Sequence, residues 1–220
     1  MNQRLKTALL MGLVMIPILI FGHHYFIFSV FCLLLTIGAA YEFRSMLSKT
    51  KMVSKWIDVL TIILTASLYF LILGITSYSI NPIYLLLLLI GIILIYSVMM
   101  VFIDSFTSRD FGNALLTIFY CSIGFAAFAY LRNISLTIVL YLLIVVMITD
   151  TAAYFFGIRF GKHKIAPKVS PKKSVEGSVA GFLFGMIFGT LFGYFMNVFG
   201  SDYPLYAYII ISGLLSVIGQ

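Results

Sequence analysis

Charge is what this chain has least of. Charged side chains make up 10% of its 220 residues, and only seven of them are acidic. With 62% hydrophobic residues and a mean hydropathy of +1.13, the apolar surface is more than a soluble domain can hide. A soluble globular protein is excluded, and the bilayer is the solvent. Cysteine and histidine are also scarce. Cys32 and Cys121 both lie within apolar runs and read as small buried hydrophobes that say nothing about redox compartment. His23-His24 and His163 have no second ligand at metal spacing. No internal repeat, low-complexity tract or domain-separating linker interrupts the chain. The first hydrophobic stretch is followed by further spans and has no small-residue cleavage site, so it does not read as a removable signal peptide.

What is present is a series of apolar runs near 7–21, 25–41, 57–75, 83–103, 111–131, 134–150, 178–198 and 205–219. A span needs about 20 such residues, with some tolerance downward. The expected architecture is therefore an all-α, polytopic integral membrane protein of about eight transmembrane helices, with residues 1–220 forming one transmembrane domain. The loops between the runs carry the charge asymmetrically. Arg4, Lys6, Arg44, Lys49, Lys51, Lys55, Arg109 and six cations of one basic segment fall on one side, thirteen in all, against Arg132 alone on the other. Positive loops stay in the cytoplasm, which places the N-terminus and the basic segment there, in a plasma membrane. The pI near 9.4 follows from this asymmetry. Nucleic acid is not the expected partner; anionic lipid or nucleotide is.

The basic segment is the one stretch that does not read as lipid-facing helix. Asp150 stands at its head, and residues 151–177, read as a cytoplasmic loop, contain Arg159, Lys162, Lys164, Lys168, Lys172 and Lys173. Polar groups concentrated in so apolar a protein mark the default place to look for chemistry. Asp150 closes the run that begins at Ile134, so it is expected at the cytoplasmic mouth of its helix. Asp104 and Asp110 read as ordinary solvated helix ends. The run Ser170-Pro171-Lys172-Lys173-Ser174-Val175-Glu176-Gly177 reads as the start of a helix, with Ser170 or Ser174 capping and Pro171 at the first helical position. Lysines in a first turn oppose the macrodipole. They make sense if an anion docks there, where free N–H groups, the positive helix end and two ammonium groups converge. The alternative is a topological clamp or a headgroup contact. Gly177, Gly181, Gly185, Gly189 and Gly193 recur at every fourth residue and predict a packing seam for a closely approaching helix.

The pattern Asp150-x-x-Ala153-Tyr154-x-x-Gly157-x-x-Phe160-Gly161, followed by Ser170-Pro171-Lys172-Lys173-Ser174-x-Glu176-Gly177, resembles phosphatidate cytidylyltransferase (CDP-diacylglycerol synthase). The resemblance is close over residues 149–181 and loose elsewhere, where Glu42-Phe43-Arg44 after the second span also fits. Ser174 stands where the family has Thr, Val175 where it has Trp and Ala180 where it has Gly. The family's C-terminal signature, which carries its metal-binding aspartates, is not matched. Val217-Ile218-Gly219-Gln220 resembles the residues just before it, so the expectation is a truncated form, inactive alone.

The resemblance implies transfer of a cytidylyl group from CTP to phosphatidate, giving CDP-diacylglycerol and pyrophosphate with Mg²⁺ as cofactor. It makes Asp150, Lys172 and Lys173 catalytic, and assigns substrate binding to Ser170, Lys172, Lys173, Ser174, Glu176, Arg159 and Lys168. Asp150 would also serve as a metal ligand, with Glu176 the alternative support for the metal or for a lysine. The expected partners are CTP, phosphatidate and membrane lipid, and a homodimer is left open. The alternatives are a CTP-dependent polyprenol or phytol kinase and a transporter or flippase. Transport would call for repeat symmetry and charges at mid-bilayer, whereas the charges of this chain map to span ends and loops.

Overall fold

The computed structural model describes residues 3–22, 26–48, 55–167, 170–200 and 202–220. Eight helices are present among them: α1 (Gln3–Phe21), α2 (Ile27–Ser48), α3 (Lys55–Tyr78), α4 (Ile83–Phe102), α5 (Ser108–Ile134), α6 (Leu136–Phe160), α7 (Val175–Phe195) and α8 (Leu205–Ile218). Each expected run is a helix. Six of them, α2 to α7, are long and apolar enough to cross a membrane. The addition is a two-stranded antiparallel hairpin, β1 (Lys164–Ala166) and β2 (Ser170–Ser174), between α6 and α7. His23, His24, Lys49, Lys51 and Lys168 lie outside the described residues.

The chain divides into two compact units, residues 1–134 and 135–220. In the first, α3, α4 and α5 enclose a core of Ile57, Leu64, Leu68, Ile92, Tyr96, Met99, Ala114 and Ile118. Polar groups inside it are paired, as a solvent without water demands. Thr61 Oγ1 lies 2.7 Å from the Tyr96 hydroxyl, and the Ser122 hydroxyl donates to the Thr65 carbonyl at 2.8 Å. Arg44 is buried, and its Nε donates to Asp58 at 2.7 Å. Arg132, the single cation on its side of the charge count, is also buried. Its guanidinium donates to the carbonyls of Leu19 at 2.6 Å and Ile20 at 3.0 Å. Those carbonyls belong to the last turn of α1, where no intrahelical donor remains.

The second unit is built on the glycine seam. All five glycines of α7 at the four-residue spacing are buried, and α6 and α8 pack against them. A Cβ at Gly181 would meet the Thr149 carbonyl at 2.8 Å, one at Gly189 the Val145 side chain at 2.6 Å, and one at Gly193 the Tyr208 and Tyr141 rings at 2.8 and 2.9 Å. Only hydrogen fits, so the helix axes come close enough for backbone and small side chains to touch. Short polar side chains bridge the same interface. Thr149 Oγ1 lies 2.8 Å from Ser216 Oγ, and the Tyr141 hydroxyl 2.7 Å from Ser212 Oγ.

Residues 151–177 are not one loop, because apolar residues carry α6 on through 160, the strands pair over 164–174 and α7 has begun by 175. Asp110, expected as a solvated helix end, is buried, its carboxylate accepting from the Thr107 N–H at 2.9 Å and hydroxyl at 2.6 Å. Two further expectations, both in the basic segment, need correction. Asp150 does not sit at the mouth of its helix, because α6 continues for ten residues beyond it to Phe160. One exposed carboxylate on the side of a helix does not end it. The residues Thr151–Phe160 contain no proline and remain largely apolar, and termination comes at Gly161. At 1.5 Å per residue, Asp150 therefore lies roughly 15 Å along the axis from the C-terminal end of α6. Likewise Pro171 is not at a first helical position. Ser170–Ser174 is strand, the helix begins at Val175, and Ser174 alone is its cap, accepting from Gly177 N–H at 3.2 Å. The lysines thus precede the first turn of α7 instead of lying within it.

Candidate functional site

The two corrections together create a cavity. Extending α6 past Asp150 puts Asp150, Ala153, Tyr154, Gly157, Ile158 and Gly161 on one helical face, at the three- and four-residue spacing of neighbouring side chains. The hairpin returns over that face and brings Lys164 from β1 and Pro171, Lys172, Lys173 and Ser174 from β2. Ser178 of α7 and Gln220 complete the lining of a space of about 580 Å³, within the range of small-molecule sites.

Three glycines allow the approach. Ser174 is buried where α6 and α7 meet. A Cβ on Gly157 would come within 3.2 Å of its hydroxyl, and one on Gly161 within 2.8 Å of its Cβ. A Cβ on Gly177 would meet the Ala153 carbonyl at 2.6 Å. Side chains here would push the hairpin away from α6 and open the wall.

The cavity has two different sides. Lys164, Lys172 and Lys173 are exposed and supply cations. Lys173 Nζ donates to the main-chain carbonyl of Gln220. Tyr154 and Ile158, at 64% and 69% exposure, form an apolar wall on the helix surface. Asp150, also exposed, is the carboxylate among the lining residues. A charged anion with an apolar tail finds a complement to each end in this arrangement.

Of the residues expected to act, Asp150, Lys172, Lys173 and Ser174 come together here. Arg159, Ser170 and Glu176 do not line the cavity. Arg159 projects beside Phe155, Phe156 and Phe160, with its guanidinium 5.9 Å from the Phe160 ring centre. Ser170 lies at the far end of β2, in register with Ala166. Lys168 lies outside the described residues. Glu176 is turned toward the segment after α6. Its carboxylate accepts from the main-chain N–H of Lys162 at 3.1 Å and of His163 at 3.2 Å, and contacts His163 Nδ1 at 2.7 Å. Among the described residues no group of three or more His, Cys, Asp or Glu side chains is placed to hold a metal ion.

Ile158 was not among the expected site residues; it stands at helical spacing from Asp150 because α6 runs on to Phe160. Lys164, expected only as one of the cations that attract anionic substrates, reaches the cavity on β1, which no helical spacing reveals.

A model of the cytidylyltransferase family matches residues 2–220. The chain belongs to that family. It is 41% identical over 64 residues to a phosphatidate cytidylyltransferase of Staphylococcus haemolyticus (strain JCSC1435), a match covering 29% of this chain and 25% of that relative. Phosphatidate cytidylyltransferases of Staphylococcus aureus (strain COL) and Staphylococcus epidermidis (strain ATCC 12228 / FDA PCI 1200) are 39% and 38% identical over the same number of residues, with the same coverage of each chain. The matched stretch thus spans a quarter of the length of these curated relatives. No solved structure matches.

Proposed function

We propose that this membrane protein takes part in phosphatidate cytidylyl transfer: CTP and phosphatidate give CDP-diacylglycerol and pyrophosphate. The observation that carries the reading is the two-sided cavity, lined by three lysines and one carboxylate beside an exposed apolar wall. It stands on a chain of the cytidylyltransferase family whose curated relatives bear this activity in their names. An oxygen of the lipid phosphate attacks the α-phosphorus of CTP. The bond from that phosphorus to the β-phosphate bridge oxygen breaks, and pyrophosphate carries the electron pair away. No covalent enzyme intermediate is needed.

Within this reaction Lys172 and Lys173 hold triphosphate oxygens and Lys164 adds charge at the rim. Tyr154 and Ile158 lie against the lipid, which arrives from the side. Phosphoryl transfer depends mainly on positioning and on neutralising the charge that spreads over the phosphorus oxygens. Asp150, the exposed carboxylate among the lining residues, would be the residue to hold a Mg²⁺ ion here, since that cation prefers carboxylate oxygen. Such an ion, when bound, neutralises triphosphate charge. The hairpin and the N-terminus are assigned to the cytoplasm, where CTP is available.

The test is nucleotide binding by purified protein in detergent with Mg²⁺. CTP should bind in preference to ATP, and more weakly in Lys172→Ala than in wild type. Equal affinity for both nucleotides, or CTP affinity unchanged in both Lys172→Ala and Lys173→Ala, refutes the reading. The family membership favours cytidylyl transfer over transport or a lipid kinase.

A further inference from the structure

The segment Ser135–Gln220 holds three acidic side chains, Asp150, Glu176 and Asp202. Asp150 faces the cavity, and Asp202 lies in the turn before α8. Glu176 is neither in the cavity wall nor idle. Both of its carboxylate oxygens are occupied by donors from residues 162–163. Oε2 takes the N–H of Lys162 at 3.1 Å and of His163 at 3.3 Å, and Oε1 takes the N–H of His163 at 3.2 Å and faces its ring nitrogen at 2.7 Å. One residue away the contact is crossed, since Val175 N–H donates to the His163 carbonyl at 2.9 Å. The next pair inward is Lys164 opposite Ser174, the base of the hairpin.

The sequence position explains the geometry. Glu176 is the second residue of α7 after its cap Ser174, where a carboxylate is favoured by the positive helix end. From there its side chain reaches the main-chain donors left beyond the C-terminus of α6. A two-stranded hairpin has little stability of its own, and this one carries Lys164, Lys172 and Lys173, like charges that repel across a shared space. Something outside the strands must hold its base shut. We propose that Glu176, with His163, is a clasp that closes the base of the β1–β2 hairpin, and is thereby a positioning residue for Lys164, Lys172 and Lys173 rather than a ligand of nucleotide or metal. What those lysines hold rests on the cytidylyltransferase reading; the clasp does not.

The experiment compares wild type, Glu176→Ala, Glu176→Gln and His163→Ala as full chains in detergent. Hydrogen–deuterium exchange and CTP titration at several Mg²⁺ concentrations are measured on each. In Glu176→Ala, exchange at Lys162 and His163 rises roughly tenfold, the low end for amides bonded to a charged acceptor because these are exposed. Peptides over 161–175 loosen with them, those over the α7 seam do not, and the CTP dissociation constant rises. The Mg²⁺ concentration for half-maximal CTP binding stays where it was. Glu176→Gln keeps an acceptor oxygen and restores most of the protection and the affinity. His163→Ala, which removes only the ring contact, falls between. Unchanged exchange in Glu176→Ala overturns the clasp. A raised Mg²⁺ requirement with the hairpin still protected also overturns it, and makes Glu176 a metal ligand. If wild type binds no CTP, the nucleotide reading falls, and the exchange data alone decide the clasp.

Discussion

Gly177→Ala adds one methyl group and should damage both stability and binding. Its Cβ would lie 2.6 Å from the Ala153 carbonyl oxygen and 2.9 Å from Gly157 Cα, both main-chain atoms of α6. Ordinary contact begins at 3.4 Å, so the two backbones must part by up to about 0.8 Å. Neither atom is the end of a flexible side chain that could give way. Overpacking of this kind costs roughly 1–3 kcal/mol, partly offset by the ~1 kcal/mol by which Ala is the better helix former in an aqueous reference. The displacement falls where Ser174, the cap of α7 and the last residue of β2, rests against Gly157. The lysine-bearing strand therefore moves with it. A misplacement near 1 Å can cost about 10²-fold in rate in well-positioned sites, and the loss of CTP affinity should approach tenfold. Gly124→Ala is the control: a Cβ at Gly124 meets nothing within 4 Å. Thermal unfolding in detergent and CTP titration of both variants check the argument. If Gly177→Ala melts with wild type and binds CTP equally well, or if Gly124→Ala falls as far, the close-approach reasoning is refuted.

Three further outcomes are expected. Single cysteines at Lys164 and Asp202 should react with impermeant reagents from opposite sides of the membrane, with Lys164 on the cytoplasmic side; labelling from one side would break the proposed topology. Lys172→Ala and Lys173→Ala should each raise the CTP dissociation constant by roughly 10- to 150-fold, as for charged hydrogen bonds, whereas Arg159→Ala, outside the cavity, should shift it less than threefold. Asp58→Ala should leave buried Arg44 unpaired and lower stability by about 1–3 kcal/mol, less than for a fully buried pair because Asp58 is partly exposed; the Arg44→Met, Asp58→Leu double variant should recover most of it in the same thermal assay.

The helices were legible because lipid leaves a plain signature, a run of about 20 apolar residues. Their ends were less legible, because a charge was read as a boundary. Asp150 shows why this fails: a carboxylate lining a cavity has no need of a helix end. The hairpin could not be foreseen. Ser-Pro-Lys-Lys-Ser has low strand propensity and resembles a capped helix start, and its pairing with Lys164–Ala166 depends on α6 and α7 already lying side by side. The cap at Ser174 and the glycine seam were legible, since both are local patterns of one helix. Glu176 was legible as a polar residue near the basic segment. Its partners, 13 and 14 residues upstream, were not, because only the chain reversal after Gly161 brings them near.

The contact between Arg132 and the end of α1 sets an order of events during synthesis. The donor is 113 residues downstream of the Leu19 carbonyl that it satisfies. At roughly 5–20 residues per second, about 6–23 seconds separate the two leaving the ribosome. Through that interval the last turn of α1 has no side-chain donor from α5, and water or headgroups must serve its carbonyls. The final turn of the first helix is therefore among the later parts of this unit to settle, although it is made early.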